Sequence, residues 1–279
     1  MIRNIIDLVR EIKNVVGISP WSTVGILLRL LWVVKRKPRD TESRFRFPFG
    51  EIQYVDGPSL KSQYLEIFVR KIYDFQVEHE DPTIIDCGGN VGLSVIWFKQ
   101  RYPKSRITVF EADPAIGEVL RANLEALDLT DVQINNAAAW NKTGQVGFVG
   151  DGADSGRIDP QSGRELVNTV RLADEITQPI DLLKLDVEGA EYAIIQDLCE
   201  TGKINHIKQL ICEIHGRRGD KEAFANLVKG LADHRFTFTF GHLRFAPDLP
   251  GEPEMTPFSS VPDGKYLMHL YAWQPGFFN

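Results

Sequence analysis

"DPTIIDCGGNVGLSVIWFKQRYPKSRITVFEADP", from Asp81 to Pro114, decides the fold. It reads as a strand, a glycine turn, a helix and a second strand. The turn "DCGGNVG" carries Gly88, Gly89 and Gly92 behind Asp86, and Glu111 follows 25 positions after that acid, at the end of "ITVFE". A βαβ unit of this kind holds its ligand beyond the carboxyl ends of its strands. Gly88 and Gly89 remove side chains where backbone must approach a ligand. Gly92 lets the helix pack closely on its strand and aim its first amides at the ligand.

Working outward, strands and helices alternate from Thr83 onward. "AIGEVLRANLEALD" reads as a helix, "VQINNAAAW" as one strand and "GQVGFVG" as hairpin-like. A loop rich in Gly, Asp and Ser follows, then "NTVRLADEI", strand "IDLLKLDV", helix "AEYAIIQDLCETG", strand "IKQLICEIH" and helix "KEAFANLVKGLADH". Such alternation predicts a parallel sheet covered by helices on both faces. The last strands, "RFTFTF" and "KYLMHLYAW", have no crossover helix between them, which predicts an antiparallel edge strand at the end. Ahead of the unit, "FRFPFGEIQYV" reads as a hairpin, and Ser59–Phe75 as a helix with Ser59 as its N-cap. Three segments result: a basic helical extension over 1–45, a lead-in hairpin and helix over 46–80, and the main domain over 81–279.

Composition excludes several classes. The 279 residues are 43% hydrophobic and 25% charged, the make-up of a soluble globular chain, and the net charge of −6 argues against a nucleic-acid binder. Three cysteines without metal spacing predict reduced thiols in a cytoplasmic protein. Residues 1–46 hold ten Lys/Arg against four Asp/Glu. Their apolar run "WSTVGILLRLLWVV" contains Arg29 and is too short for a span of ~20 residues. It is expected to pack on the main domain or on a second copy, or to lie on acidic lipid with Lys35–Arg39, which would make the protein membrane-peripheral.

The glycine turn departs from the G-x-G-x-x-G of dinucleotide binders, because Asn90 stands where the second glycine belongs. Asp86 at its mouth suits an ammonium group better than a pyrophosphate, and Glu111 can accept two ribose hydroxyls. An amino group beside a ribose points to S-adenosyl-L-methionine. A second constellation stands on two later strands. Side chains two apart share a strand face, so Lys184 and Asp186 point one way, with Glu188 at the strand's exit, and Glu213 pairs with His215 in the same manner. A Lys184–Glu213 ion pair is expected across the strands, with Asp186, Glu188 and His215 projecting into the cleft. Glu191 reads equally well as a site residue or as a capping or surface group.

"IIDCGGNVGLS", "VFEADP", "LLKLDVEGAEYAII" and "ICEIH", in this order, resemble the FkbM-type family of S-adenosylmethionine-dependent O-methyltransferases; the likeness runs from about Tyr64 to His215. It implies an α/β fold of the class I methyltransferase (Rossmann-like) type, a seven-stranded, mostly parallel sheet with the last strand antiparallel. It further implies that Asp86, Gly88, Asn90 and Gly92 hold the methionine part, Glu111 the ribose, and Asp113, Asn136 and Ala138 the adenine side. Asp154 and Ser155 would close over the cofactor. Acceptors in the family are mostly hydroxyls of sugars, polyketides or other natural products.

Methyl transfer is an in-line displacement, and a sugar hydroxyl must lose its proton as it attacks. His215 is the expected general base, with Asp186 orienting or replacing it. The alternative is a divalent ion, magnesium by its oxygen ligands, on Asp186 and neighbouring carboxylates. A polar, aromatic-dotted rim (Phe245, Phe258) suits a saccharide or glycolipid acceptor, with a lipid or polyketide hydroxyl as the alternative. A nicotinamide-dependent oxidoreductase and a non-catalytic module are the rival classes.

Overall fold

The computed structural model describes residues 21–34, 41–149, 156–158, 165–217, 219–245 and 265–276. Asp154, Ser155, the Lys35–Arg39 run and the proline-rich Ala246–Pro262 segment with Phe258 lie outside them, as does the first half of the expected N-terminal helical arm.

The expected βαβ unit forms from β3 (Thr83–Cys87), α3 (Leu93–Arg101) and β4 (Arg106–Phe110). The main sheet has seven strands in the order β12 (Thr237–Phe245), β13 (Lys265–Trp273), β11 (Ile207–Arg217), β10 (Ile180–Leu185), β3, β4 and β5 (Gln133–Asn135). Pairings from β11 through β5 are parallel, and β13 runs antiparallel to both its neighbours. From β3 the chain winds to β4 and β5 on one side, then returns to build β10 and β11 on the other. That reversal opens a crevice between the carboxyl ends of β3 and β10, where ligands of open parallel sheets bind.

Two apolar layers clamp the sheet. On one face α3 and α4 (Pro114–Ala126) bury Leu93, Phe98, Leu120 and Leu124. On the other α5 (Leu172–Glu175), α6 (Glu191–Glu200) and α7 (Lys221–Asp233) bury Leu172, Ile195 and Leu231. All six residues of β10 are buried, as a central strand between two helical layers requires. The cysteines are free thiols, with Cys87 and Cys212 buried in β3 and β11.

The antiparallel last strand is not at the edge, as expected, but inserted between β11 and β12. Met268, His269, Leu270 and Ala272 of β13 are all buried, a pattern that only a covered interior strand accommodates. β12 takes the edge, with Phe240 exposed and an irregularity in register between Phe240 and Leu243. Such bulges blunt an edge against further pairing.

"VQINNAAAW" is two strands rather than one. The Asn136 amide donates to the carbonyls of Glu111 and Asp113 (2.9 and 3.3 Å), and the chain turns out of the main sheet there. β6 (Ala138–Trp140) then joins a second sheet with β7 (Gly144–Val149), β8 (Arg157–Ile158) and β9 (Glu165–Arg171) in the order β6-β9-β7-β8, which the sequence reading lacked.

The lead-in shares the main core. The hairpin β1 (Ser43–Phe47) and β2 (Gly50–Tyr54) buries Phe45, Phe47, Ile52 and Tyr54 in the same cluster as Ile84 and Leu93. α2 (Gly57–Tyr64) starts two residues before the expected cap. Asp56 is the N-cap, and its carboxylate accepts from the Ser59 amide (3.0 Å) and hydroxyl (2.6 Å). A π-helical turn (Leu65–Val69) follows, and Lys71 at φ +56° ends it well before Phe75. α1 (Trp21–Val34) packs Leu27 against Leu65 and Leu30 into the main core, and leaves Leu28 and Trp32 exposed. No helix among the described residues is long and apolar enough to cross a membrane.

Candidate active site

A cleft of about 900 Å³ opens at the crevice between β3 and β10. Gly88, Gly89, Asn90, Glu111, Asp113 and Ala138 line one end of its wall, and Asp186, Glu188 and His215 the other. Asp86, Gly92 and Asn136 are not on that wall.

The glycine turn is shaped by contacts that exclude side chains. Gly88 has φ +89°, and a Cβ there would lie 1.9 Å from the Asp186 carbonyl oxygen, which as backbone cannot yield. Its amide donates to the Phe110 carbonyl (2.9 Å), and so does that of Gly89 (3.0 Å). Gly92 caps α3 at φ +97°, and a Cβ there would lie 2.9 Å from the Leu120 side chain, so its role is close packing and not lining the cleft. Asn90 also adopts a left-handed conformation, φ +46°, held by its own side chain accepting from the Val91 amide (2.8 Å).

Glu111 stands at the end of β4, only 8% exposed. Its two carboxylate oxygens accept from the amides of Asn90 (2.8 Å) and Asp113 (2.9 Å), so each retains a lone pair for a ligand. Burial pushes its carboxyl up to about 7, against the pull of those two amides. The Asp113 carboxylate caps α4 by accepting from the amides of Ala115 and Ile116 (2.8 and 3.2 Å). Asn136 works beneath it as the backbone strut already described.

The expected Lys184–Glu213 ion pair does not form among the described residues. Parallel register sets Lys184 opposite Asp86 on β3 and opposite Ile211 on β11. Lys184 Nζ therefore lies 3.0 Å from Asp86 and 3.5 Å from Asp186, and donates to the Gly88 carbonyl at 2.6 Å. Burial works against its charge, but the Asp86 and Asp186 carboxylates outweigh it and hold the ammonium above its ordinary range. Asp86 is fully buried, and its second oxygen accepts from the Ser94 hydroxyl at 2.5 Å. It lies one layer below the cleft and braces the turn through Lys184 instead of presenting its carboxylate there.

Glu213 pairs with its antiparallel register partner, His269, at 2.9 Å. At the cleft, Asp186, Glu188 and His215 come together: His215 Nε2 is 3.4 Å from Glu188, 3.6 Å from Glu213 and 4.0 Å from Asp186. Its Nδ1 lies 3.0 Å from Glu191, which is fully buried and accepts from the amides of Val187 and Gly189. Burial disfavours imidazolium, yet Glu191, Glu188 and Asp186 together hold His215 well above the usual histidine range. Burial, against the pull of His215 and helped by the other carboxylates, raises Glu188 to about 8. Lys184, His215 and the Tyr73 hydrogen bond keep Asp186 below the usual carboxylate range despite burial.

Sequence reasoning missed Tyr73, whose hydroxyl donates to Asp186 at 3.1 Å from 113 residues away. It also missed Tyr192 and Tyr266, whose hydroxyls meet at 3.0 Å on the wall beyond His215. Nothing local marks them; the positive φ of Lys71, which turns the chain just ahead of Tyr73, is visible only in three dimensions.

The family model described as Methyltransferase FkbM domain matches residues 86–244. Among known proteins the chain is similar to Methyltransferase 1 of Beauveria bassiana, 27% identical over 197 residues that cover 60% of this chain and 79% of that protein. It is also similar to 2-O-methyltransferase NoeI of Sinorhizobium fredii, 30% identical over 149 residues, 45% of this chain and 60% of that protein. Among solved structures, Methyltransferase FkbM from Methylobacillus flagellatus KT is similar over 90% of this chain and 58% of that one, at 13% identity and a TM-score of 0.49.

Proposed function

The chain belongs to the FkbM methyltransferase family, and we propose that it transfers the methyl group of S-adenosylmethionine to a hydroxyl oxygen of a polar, carbohydrate-like acceptor. One observation carries the reading: a single cleft joins the glycine turn and Glu111 to the Asp186–Glu188–His215 cluster. S-adenosylmethionine occupies the first end. Glu111 would accept its ribose hydroxyls, Gly88, Gly89 and Asn90 would hold its amino acid part, and Asp113 and Ala138 would border its adenine.

At the second end Asp186, Glu188 and His215 would receive the acceptor hydroxyl, and the cofactor would supply the methyl group. Alignment of the two reactants supplies much of the catalysis of an in-line displacement. Oxygen as the acceptor atom is supported by the 2-O-methyl transfer named for the Sinorhizobium relative. A sugar-like acceptor is supported by the wall beyond His215, where Tyr192, Tyr266, Arg217 and Asp220 offer phenol faces and hydrogen-bonding groups.

Transfer of labelled methyl from S-adenosylmethionine to a panel of saccharides, glycolipids and polyketide alcohols tests this. Label is expected in a saccharide as a base-stable methyl ether. Label confined to non-carbohydrate alcohols would replace the acceptor class, and binding of NADH without S-adenosylmethionine would overturn the reading.

A further inference from the structure

Three side chains at the acceptor end of the cleft face a common point, two of them with a second atom fixed from behind. Asp186 Oδ2 is held by the Tyr73 hydroxyl (3.1 Å) and by Lys184 (3.5 Å), and Oδ1 faces His215. His215 Nδ1 is held by Glu191 (3.0 Å), leaving Nε2 directed at Asp186 and Glu188. Glu188 is brought back over the site by a left-handed backbone, φ +54°, which a non-glycine residue adopts at some cost. Its Oε1 lies 3.4 Å from Nε2, and no hydrogen bond to its carboxylate is made among the described residues.

We propose that Asp186, Glu188 and His215 bind a hard divalent cation, manganese in preference to magnesium, which activates the acceptor hydroxyl. The proposal rests on the methyl-transfer reading of the same cleft. One ligand atom from each residue lies within 4.8 Å of the other two. Around an octahedral ion with bonds of about 2.1 Å, ligand atoms on neighbouring corners stand ~3 Å apart and on opposite corners ~4.2 Å. The observed 3.4 and 4.0 Å separations fall in that range.

An acidic cluster alone would not make the case; the arrangement behind the imidazole does. A metal-bound histidine gives its other ring nitrogen to a carboxylate that fixes ring and tautomer. Glu191 does this from a fully buried position, itself anchored by two backbone amides. Two carboxylates and one imidazole suit manganese better than magnesium, because magnesium is harder, dehydrates reluctantly and prefers all-oxygen ligands.

Three protein ligands leave the remaining positions to water and the acceptor. The coordinated hydroxyl loses its proton through the second oxygen of Glu188 to water. A lone pair of that oxygen forms the O–CH3 bond as the S–CH3 bond breaks, and the pair of the broken S–CH3 bond stays on sulfur in S-adenosylhomocysteine. The cation keeps its charge throughout.

Chelator-treated protein saturated with S-adenosylhomocysteine would be titrated with Mn2+ and followed by electron paramagnetic resonance. One Mn2+ per chain is expected, weakened at least about tenfold in each of Asp186→Asn, Glu188→Gln and His215→Gln. S-adenosylhomocysteine affinity in the same variants, expected within about threefold of the parent, shows that they are folded. No saturable Mn2+ site in protein that binds S-adenosylhomocysteine would overturn the proposal, as would Mn2+ binding indifferent to all three substitutions. Failure of the parent to bind S-adenosylhomocysteine at all would instead overturn the methyl-transfer reading.

Discussion

Glu111 combines two demands that pull against each other. It must be buried to sit beneath a ribose, yet ionised to accept both hydroxyls. Burial lifts its carboxyl to about 7, and the amides of Asp113 and Asn90, helped by the Lys184 charge, keep it from rising further. Ligand binding favours the ionised form, so affinity rises with pH until the free carboxyl is fully ionised. Affinity for S-adenosylhomocysteine is therefore expected to be about tenfold weaker at pH 6 than at pH 8, with a proton released on binding at pH 6. Calorimetry in buffers of different ionisation enthalpy measures both, and Glu111→Gln should flatten the profile. Glu111→Ala removes charge-assisted hydrogen bonds of about 1.5–3 kcal/mol and should weaken binding roughly ten- to a hundredfold. Unchanged affinity in folded Glu111→Ala would remove Glu111 from the ribose site.

At the same scale, Lys184 shows where residue patterns run out. Alternation along "LLKLDVEG" reveals which side chains share a face, because the strand period is a local property. It does not reveal which neighbour a buried lysine meets, because that depends on register between strands about a hundred residues apart. Lys184 meets Asp86, and Asp86 is thereby drawn out of the cleft. His215 was legible as a cleft residue beside Asp186 and Glu188; its contacts with Glu191 of α6 and Glu213 of β11 were not.

Among the elements, α2 is set by its cap. Asp56 is 1% exposed and satisfies both the amide and the hydroxyl of Ser59, so Asp56→Ala leaves buried donors behind. A stability loss of roughly 1–2 kcal/mol is expected in a denaturant titration. S-adenosylhomocysteine affinity should be retained, because Asp56 itself is not on the cleft wall. Equal loss of both would make α2 part of the cofactor site. The "VQINNAAAW" stretch shows a complementary limit. Its apolar run has strand character throughout, but Asn136 diverts it by bonding to the backbone after β4, a long-range contact with no local signature. The small second sheet is built by that diversion, and it contributes Ala138 and Phe148 to the cleft wall.

Over the whole molecule, the alternating order of elements was readable because each βαβ unit is a local decision, and the reversal between β5 and β10 follows from right-handed crossovers on both sides. The place of β13 was not readable, since a strand with no crossover helix can add at an edge or insert between two others. The account's central claim is that the crevice made by this reversal carries S-adenosylmethionine with its methyl group aimed at Asp186, Glu188 and His215. A crystal structure with S-adenosylhomocysteine tests it most directly. The account predicts ribose hydroxyls on both oxygens of Glu111, the amino acid part against Gly88 and Asn90, and the sulfur facing the Asp186–His215 end. Ligand bound with its sulfur turned away from that end, or seated outside the β3–β10 crevice, would contradict it.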